Sequence, residues 1–93
     1  MRKVTLYQAT TESALRTNMM AMVTGVYAPM EEMEAVVMLR MDGEVEDILD
    51  ELFYRMNSEE YRYSLSYSMS VGDVVDIDGV RYRCAMVGWD LIQ

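Results

Sequence analysis

The most restrictive feature of this sequence is an amphipathic segment between residues 44 and 57. Its apolar side chains recur at the spacing of one helix face, at Val45, Ile48, Leu49, Leu52, Phe53 and Met56. A single helix of this length is marginal in water, so its apolar face has to pack against another layer of structure. The pattern therefore predicts a helix over residues 44–57 that has one face on the core and the other in solvent.

Two segments in the first half of the chain are predicted to be strands. Residues 4–9 alternate apolar and polar side chains, and residues 34–41 form a short apolar run bounded by a turn sequence. Between them, Thr11 is placed to cap a helix that continues to Met22. This stretch also contains weak helix formers, so a loop followed by a short strand is the alternative.

The C-terminal third is predicted to contain a β-hairpin. Asp78-Gly79 separates the β-rich runs 74–77 and 80–87, and Asp-Gly is a strong short-range hairpin signal. Gly88 is expected to permit a bend after the second run, and residues 59–70 fit either an edge strand or an ordered loop. The expected fold is α+β: a small antiparallel sheet, one well-defined amphipathic helix packed on it, and a C-terminal β-hairpin.

The length of the chain bounds the number of domains. A chain of 93 residues supplies one modest core, so we expect residues 1–93 to form a single domain. No run approaches the roughly 18 apolar residues of a membrane span, and no signal-type apolar region follows Met1. We therefore expect a cytoplasmic protein that does not bind membranes.

Charge is spread unevenly along this chain, whose net charge is −8. Residues 18–54 hold nine acidic side chains and one basic side chain, Arg40, whereas residues 1–17 are net positive. Direct binding to nucleic acid requires basic groups that displace counterions from phosphates, so none is expected here. A basic protein surface is the better-matched partner.

Histidine and cysteine, which often act as general base and nucleophile at neutral pH, are nearly absent from the sequence. There is no histidine and one cysteine, Cys84, which removes the common nucleophile pairs and most zinc sites. All five glycines are isolated, so there is no phosphate-binding loop. We expect no enzymatic activity, no cofactor and no metal; a hydrolase that uses the carboxylates is least favoured, because the sequence offers them no catalytic partner.

Several apolar residues admit both a structural and a functional interpretation. For the eleven methionines, core filling is favoured over an adaptable binding surface. Cys84 is expected to be a small buried residue rather than a nucleophile. Trp89 is interpreted as the lid of the core or, alternatively, as an interface anchor.

The candidate partner-binding residues are seven acidic side chains between residues 31 and 51 and one nearby tyrosine. They are Glu31, Glu32, Glu34, Glu46, Asp47, Asp50, Glu51 and Tyr54. Helical carboxylates one turn apart, at about 5–6 Å, would form a negatively charged rail that competes with nucleic acid for a basic groove. The alternative is that these acids are only a solvated helix face.

The last half of the chain carries a recognisable pattern of residues. It comprises the helix end Phe53–Asn57, then Ser68-Met69-Ser70-Val71-Gly72-Asp73-Val74, Asp78-Gly79, Tyr82, Cys84 and Gly88-Trp89. It resembles the C-terminal signature of small uncharacterised proteins of phages, plasmids and integrated elements, and of YodL-like domains. The resemblance implies a mobile-element setting and a helix on a small sheet, and it brings no established activity.

The residues of this signature are interpreted as structural. Gly72 is expected to adopt an unusual backbone angle, Asp73 to make a local turn bond, and Tyr82 and Trp89 to supply bulk to the hairpin core. Function is then expected in the acidic part of the chain, residues 31–54.

Together these features predict an accessory protein of a phage or mobile element that binds and inhibits a host defence enzyme through its acidic surface. The inhibition would be of the anti-CRISPR or anti-restriction type, and the partner a basic, nucleic-acid-handling host protein. The alternative is a non-catalytic regulatory or structural interaction module, such as a homodimer that uses the tyrosine-rich edge and the methionines.

Overall fold

A five-stranded antiparallel sheet forms the framework of the computed structural model, which describes residues 1–58 and 69–92. The strands are β1 (Arg2–Ala9), β2 (Met33–Met41), β3 (Val74–Ile77), β4 (Val80–Cys84) and β5 (Trp89–Ile92). The helices are α1 (Glu12–Met19), α2 (Ala21–Thr24), a 3₁₀ turn (Met30–Glu32) and α3 (Val45–Met56). The order β2-β1-β3-β4-β5 places β1 inside the sheet, and the predicted α+β fold is confirmed.

The main core lies between α3 and one face of the sheet. The side chains of Ile48, Leu49, Leu52 and Met56 on α3 are buried, as the helical period predicts. They pack in one cluster with strand residues that point to the same side: Val4, Leu6, Met41, Val75 and Ile77. The predicted helix of residues 44–57 is confirmed within one residue at each end.

Strand pairing defines which side chains share a sheet face. Val4 pairs with Leu39 of β2 and with Ile77 of β3, so these three lie on the face that α3 covers. One register shift between Leu6 and Tyr7 marks a bulge in the pairing of β1 with β2.

The predicted hairpin turn at Asp78-Gly79 is confirmed. Asp78 has φ 52° and Gly79 has φ 93°, and the Gly79 N–H donates to Asp76 Oδ1 at 2.8 Å. The predicted run 80–87 is too long, because β4 ends at Cys84 and the chain turns back.

The bend expected at Gly88 is present and creates a further strand. The Ala85 N–H donates to the Gly88 carbonyl at 3.0 Å, and Gly88 has φ 72°. The chain then continues as β5, which pairs antiparallel with β4. The C-terminus is therefore a three-stranded meander.

The segment after β1 is helical, so the predicted helix is confirmed and the alternative of a loop followed by a short strand is wrong. Thr11 Oγ1 accepts a hydrogen bond from the Ala14 N–H at 3.1 Å, so the predicted cap is confirmed. The helix is interrupted at Met20, and α2 ends at Gly25, which has φ 72°. Residues 59–68, which cover most of the predicted edge strand or ordered loop, lie outside the described residues.

The expectation that the methionines fill the core is wrong for several of them. Met33, Met41, Met56 and Met69 are buried, whereas Met19, Met20, Met22 and Met38 are exposed. The exposed group includes both sides of the break between α1 and α2. In the described parts of the chain, no helix combines the length and apolar character needed to cross a membrane.

Candidate partner-binding surface

The acidic side chains of α3 all face solvent. Glu46, Asp47, Asp50 and Glu51 are exposed, and Tyr54 has 79% of its surface accessible. Glu46 and Asp47 lie in the first turn, where the helix dipole favours negative charge. The buried stripe fixes which face of α3 meets the sheet and thereby holds these carboxylates outward.

The helical period separates the four acids into two flanks. Glu46 and Asp50 lie one turn apart on the same side as Phe53, beside the buried stripe. Asp47 and Glu51 lie on the other flank, where Arg55 Nη2 approaches Glu51 Oε1 to 2.7 Å. The acidic rail is therefore two pairs of carboxylates with different surroundings.

A groove runs along the Glu46–Asp50 flank, between α3 and the β4–β5 hairpin. Two adjoining concavities of about 460 and 520 Å³ lie between α3 and the hairpin, and a third of about 460 Å³ lies along the C-terminal end of α3. Asp50 lines all three. Trp89 lines two of them, as does Phe53. The groove thus combines apolar walls with a carboxylate.

The floor of the groove is apolar and includes the cysteine. Cys84 is buried, as expected, and burial raises the pKa of its thiol to about 11, with the negative charge of Asp73 adding to the effect. The thiol is therefore neutral at physiological pH and does not act as a thiolate nucleophile.

The remaining predicted acids do not join this surface. Glu31 lies with Arg81 and Arg83 in a separate groove. These two arginines pair across the strands with Asp76 and Val74, on the sheet face that points away from α3. Glu32 shares the 3₁₀ turn with Glu31, and Glu34 is exposed on β2. None of Glu31, Glu32 and Glu34 is therefore among the described residues that line the groove beside α3.

Two groove residues, Phe53 and Trp89, have a more mixed environment than the core position expected from the sequence. Phe53 belongs to the apolar period of α3 but is 40% exposed, because it lies at the edge of the buried stripe. Trp89 is half-buried, packs against the core and also lines the groove, so it has features of both a lid and an anchor. The sequence itself places Phe53 about one helical turn after Asp50, and therefore on the same side of α3. Trp89 comes close to these two residues only because the chain turns back between β4 and β5.

In comparisons with known proteins, no protein-family model, no curated protein and no solved structure matches this chain. Among residues 1–58 and 69–92, no group of three or more His, Cys, Asp or Glu side chains is arranged to hold a metal ion.

Proposed function

We propose that this protein binds a basic, nucleic-acid-handling host protein through the exposed face of α3 and inhibits it. The observation that carries the proposal is that Glu46, Asp47 and Asp50 are exposed and form no ion pair with the described residues. A rigid helix that holds uncompensated carboxylates outward is complementary to a positively charged groove.

Electrostatics supports competition with nucleic acid at such a groove. Complementary charge raises association rates and selects partners, and its effect falls as salt screens the charges. Carboxylates one helical turn apart, at about 5–6 Å, present repeated negative charge to the same basic side chains that bind phosphates.

The proposed setting is the cytoplasm of a host cell, with the protein encoded by a phage or another mobile element. The resemblance of residues 53–57 and 68–89 to proteins of such elements supports this setting. The target class that fits both the setting and the charge is a host defence nuclease, of the CRISPR or restriction type.

An affinity capture followed by an activity assay tests the proposal. Tagged protein is incubated with bacterial lysate at low and moderate salt, and captured proteins are identified by mass spectrometry. We expect to recover a basic nuclease, in amounts that fall as the salt concentration rises. We also expect the protein to inhibit DNA cleavage by the purified nuclease.

Matched variants assign the inhibition to α3. Changing Glu46, Asp47, Asp50 and Glu51 together to their amides should abolish capture and inhibition. The same change at Glu31, Glu32 and Glu34 removes a similar amount of charge elsewhere and should preserve both. If the α3 variant inhibits like the unchanged protein, the proposal is wrong.

A second candidate function is a self-associating interaction module. It is favoured by a group of exposed apolar side chains around α2, which comprises Met19, Met20, Met22, Val23 and Val26. Contiguous exposed apolar surface is typical of protein interaction sites.

A further inference from the structure

We infer that the groove between α3 and the β4–β5 hairpin receives an arginine side chain of the partner protein. The guanidinium would pair with Asp50 and Glu46, and the aliphatic part would lie against Trp89 and Phe53. This inference rests on the proposed function and adds the chemistry that the partner must present.

The size of the groove suits a side chain of this kind. Its three concavities, of about 460, 520 and 460 Å³, lie within the range of about 300–1,000 Å³ typical of sites for small ligands. They extend from Val45, at the start of α3, to Ser58, two residues beyond its end. One inserted side chain would fill part of the groove and leave room for the neighbouring residues of a peptide.

The charge of the groove selects a cation. Asp50 lines all three concavities and Glu46 lines one, whereas no basic side chain is among the described residues that line them. Neither carboxylate forms an ion pair with the described residues. A cation from outside would therefore meet two carboxylates for which residues 1–58 and 69–92 supply no competing cation.

The groove beside Glu31 provides an internal contrast. Arg81 and Arg83 line that groove, and Arg81 Nε lies 3.3 Å from Asp76 Oδ2. Among its described lining residues, two basic side chains accompany the single acidic side chain of Glu31. The described lining of the α3 groove contains Asp50 and Glu46 and no basic side chain, so it is the α3 groove that is complementary to a cation.

The aromatic walls favour arginine over lysine. A guanidinium is planar, stacks on aromatic faces and is less strongly hydrated than an ammonium group. Tryptophan is the best aromatic partner for a cation, and Trp89 lines the two concavities that lie against the hairpin. Asp50 lines both of these as well, so the carboxylate and the ring border the same space.

Trp89 is the only tryptophan in the chain, so tryptophan fluorescence reports on this groove alone. The intrinsic fluorescence of the full chain is titrated with an acetylated, amidated peptide that has one arginine between glycines. The comparison peptides replace the arginine with citrulline, which has nearly the same shape without the charge, or with lysine. We expect a saturable change with the arginine peptide and weaker binding of both others.

Two single substitutions locate the charge that binds the peptide. Asp50→Asn should weaken binding of the arginine peptide roughly two- to five-fold, as expected for loss of one exposed ion pair. Asp47→Asn removes the same charge from the other flank of α3 and should change the affinity less than about two-fold. Equal effects of the two substitutions, or equal binding of the citrulline or lysine peptide, would overturn the inference.

Paired variants separate this inference from the proposed function. Glu46→Gln with Asp50→Asn changes the groove flank, and Asp47→Asn with Glu51→Gln changes the other flank. If only the second pair abolishes capture of the nuclease, the groove inference is wrong while the proposed function stands. If the peptide results hold and no variant affects any nuclease, the groove stands and the proposed function is wrong.

Discussion

At Gly72 the backbone passes so close to the Asn18 side chain that a Cβ atom would lie 2.6 Å from Asn18 Cγ. Asn18 is itself buried, and its Oδ1 accepts a hydrogen bond from the Ala28 N–H at 2.8 Å. The glycine, which has φ 96°, therefore allows the segment before β3 to pack directly on the last turn of α1.

Replacing Gly72 with alanine should destabilise the fold more than replacing Gly79. Both positions have positive φ, which costs an alanine about 1–2 kcal/mol. Only at Gly72 does the new methyl group meet a buried neighbour, and we expect a further loss of about 1–3 kcal/mol there. Urea unfolding of Gly72→Ala and Gly79→Ala measures the difference, and equal losses would contradict the packing argument.

The roles of individual residues were predictable only where their partners are close in sequence. The unusual backbone of Gly72 and the local bond of Asp73 were expected, and the Ser70 N–H does donate to Asp73 Oδ2 at 2.9 Å. The Gln8 Nε2 also donates to this oxygen, at 3.0 Å. That contact spans 65 positions and depends on the place of β1 beside β3, which residue spacing does not reveal.

At the scale of elements, α3 was the best-predicted part of the molecule because its period is long and regular. The C-terminal hairpin was predictable because Asp-Gly fixes its turn type. The end of β4 was not, since Ala85, Met86 and Val87 are apolar and carry no turn signal before Gly88. The hydrogen bond from the Ala85 N–H to the Gly88 carbonyl turns the chain and ends the strand there.

Truncating the buried stripe of α3 should destabilise the protein far more than truncating its exposed face. Leu52 has no accessible surface, so Leu52→Ala should lower the free energy of unfolding by about 2–5 kcal/mol. Tyr54→Ala, on the exposed face of the same helix, should change it by less than about 0.5 kcal/mol. Chemical denaturation of both variants tests this, and a large loss at Tyr54 would show that its ring packs against the fold.

For the molecule as a whole, the sequence predicted the negative charge of α3 but not the different surroundings of its two flanks. The exposure of the helix acids follows from the period of the buried stripe alone. Their difference in surroundings arises because the β4–β5 hairpin lies beside one flank. Such a contact joins residues about 40 positions apart, and no local pattern contains it.

Self-association through residues 19–26 would be visible in solution. If the apolar side chains around α2 form an interface between two copies, light scattering at rising concentration should show a mass approaching twice 10.8 kDa. Val23→Asp should restore the monomer. Val87→Asp, at another exposed valine in the β4–β5 turn, should leave the mass unchanged. A strict monomer at high concentration would count against this candidate.

β1 lies inside the sheet but is synthesised long before one of its two neighbouring strands. Its partner β3 is more than 60 residues further along, so translation leaves β1 without this neighbour until most of the chain has been synthesised. Contacts of such long range also slow folding. During this interval the nascent chain presents an unpaired strand edge that is open to wrong pairing, and the meander β3–β5 completes the sheet and closes that edge.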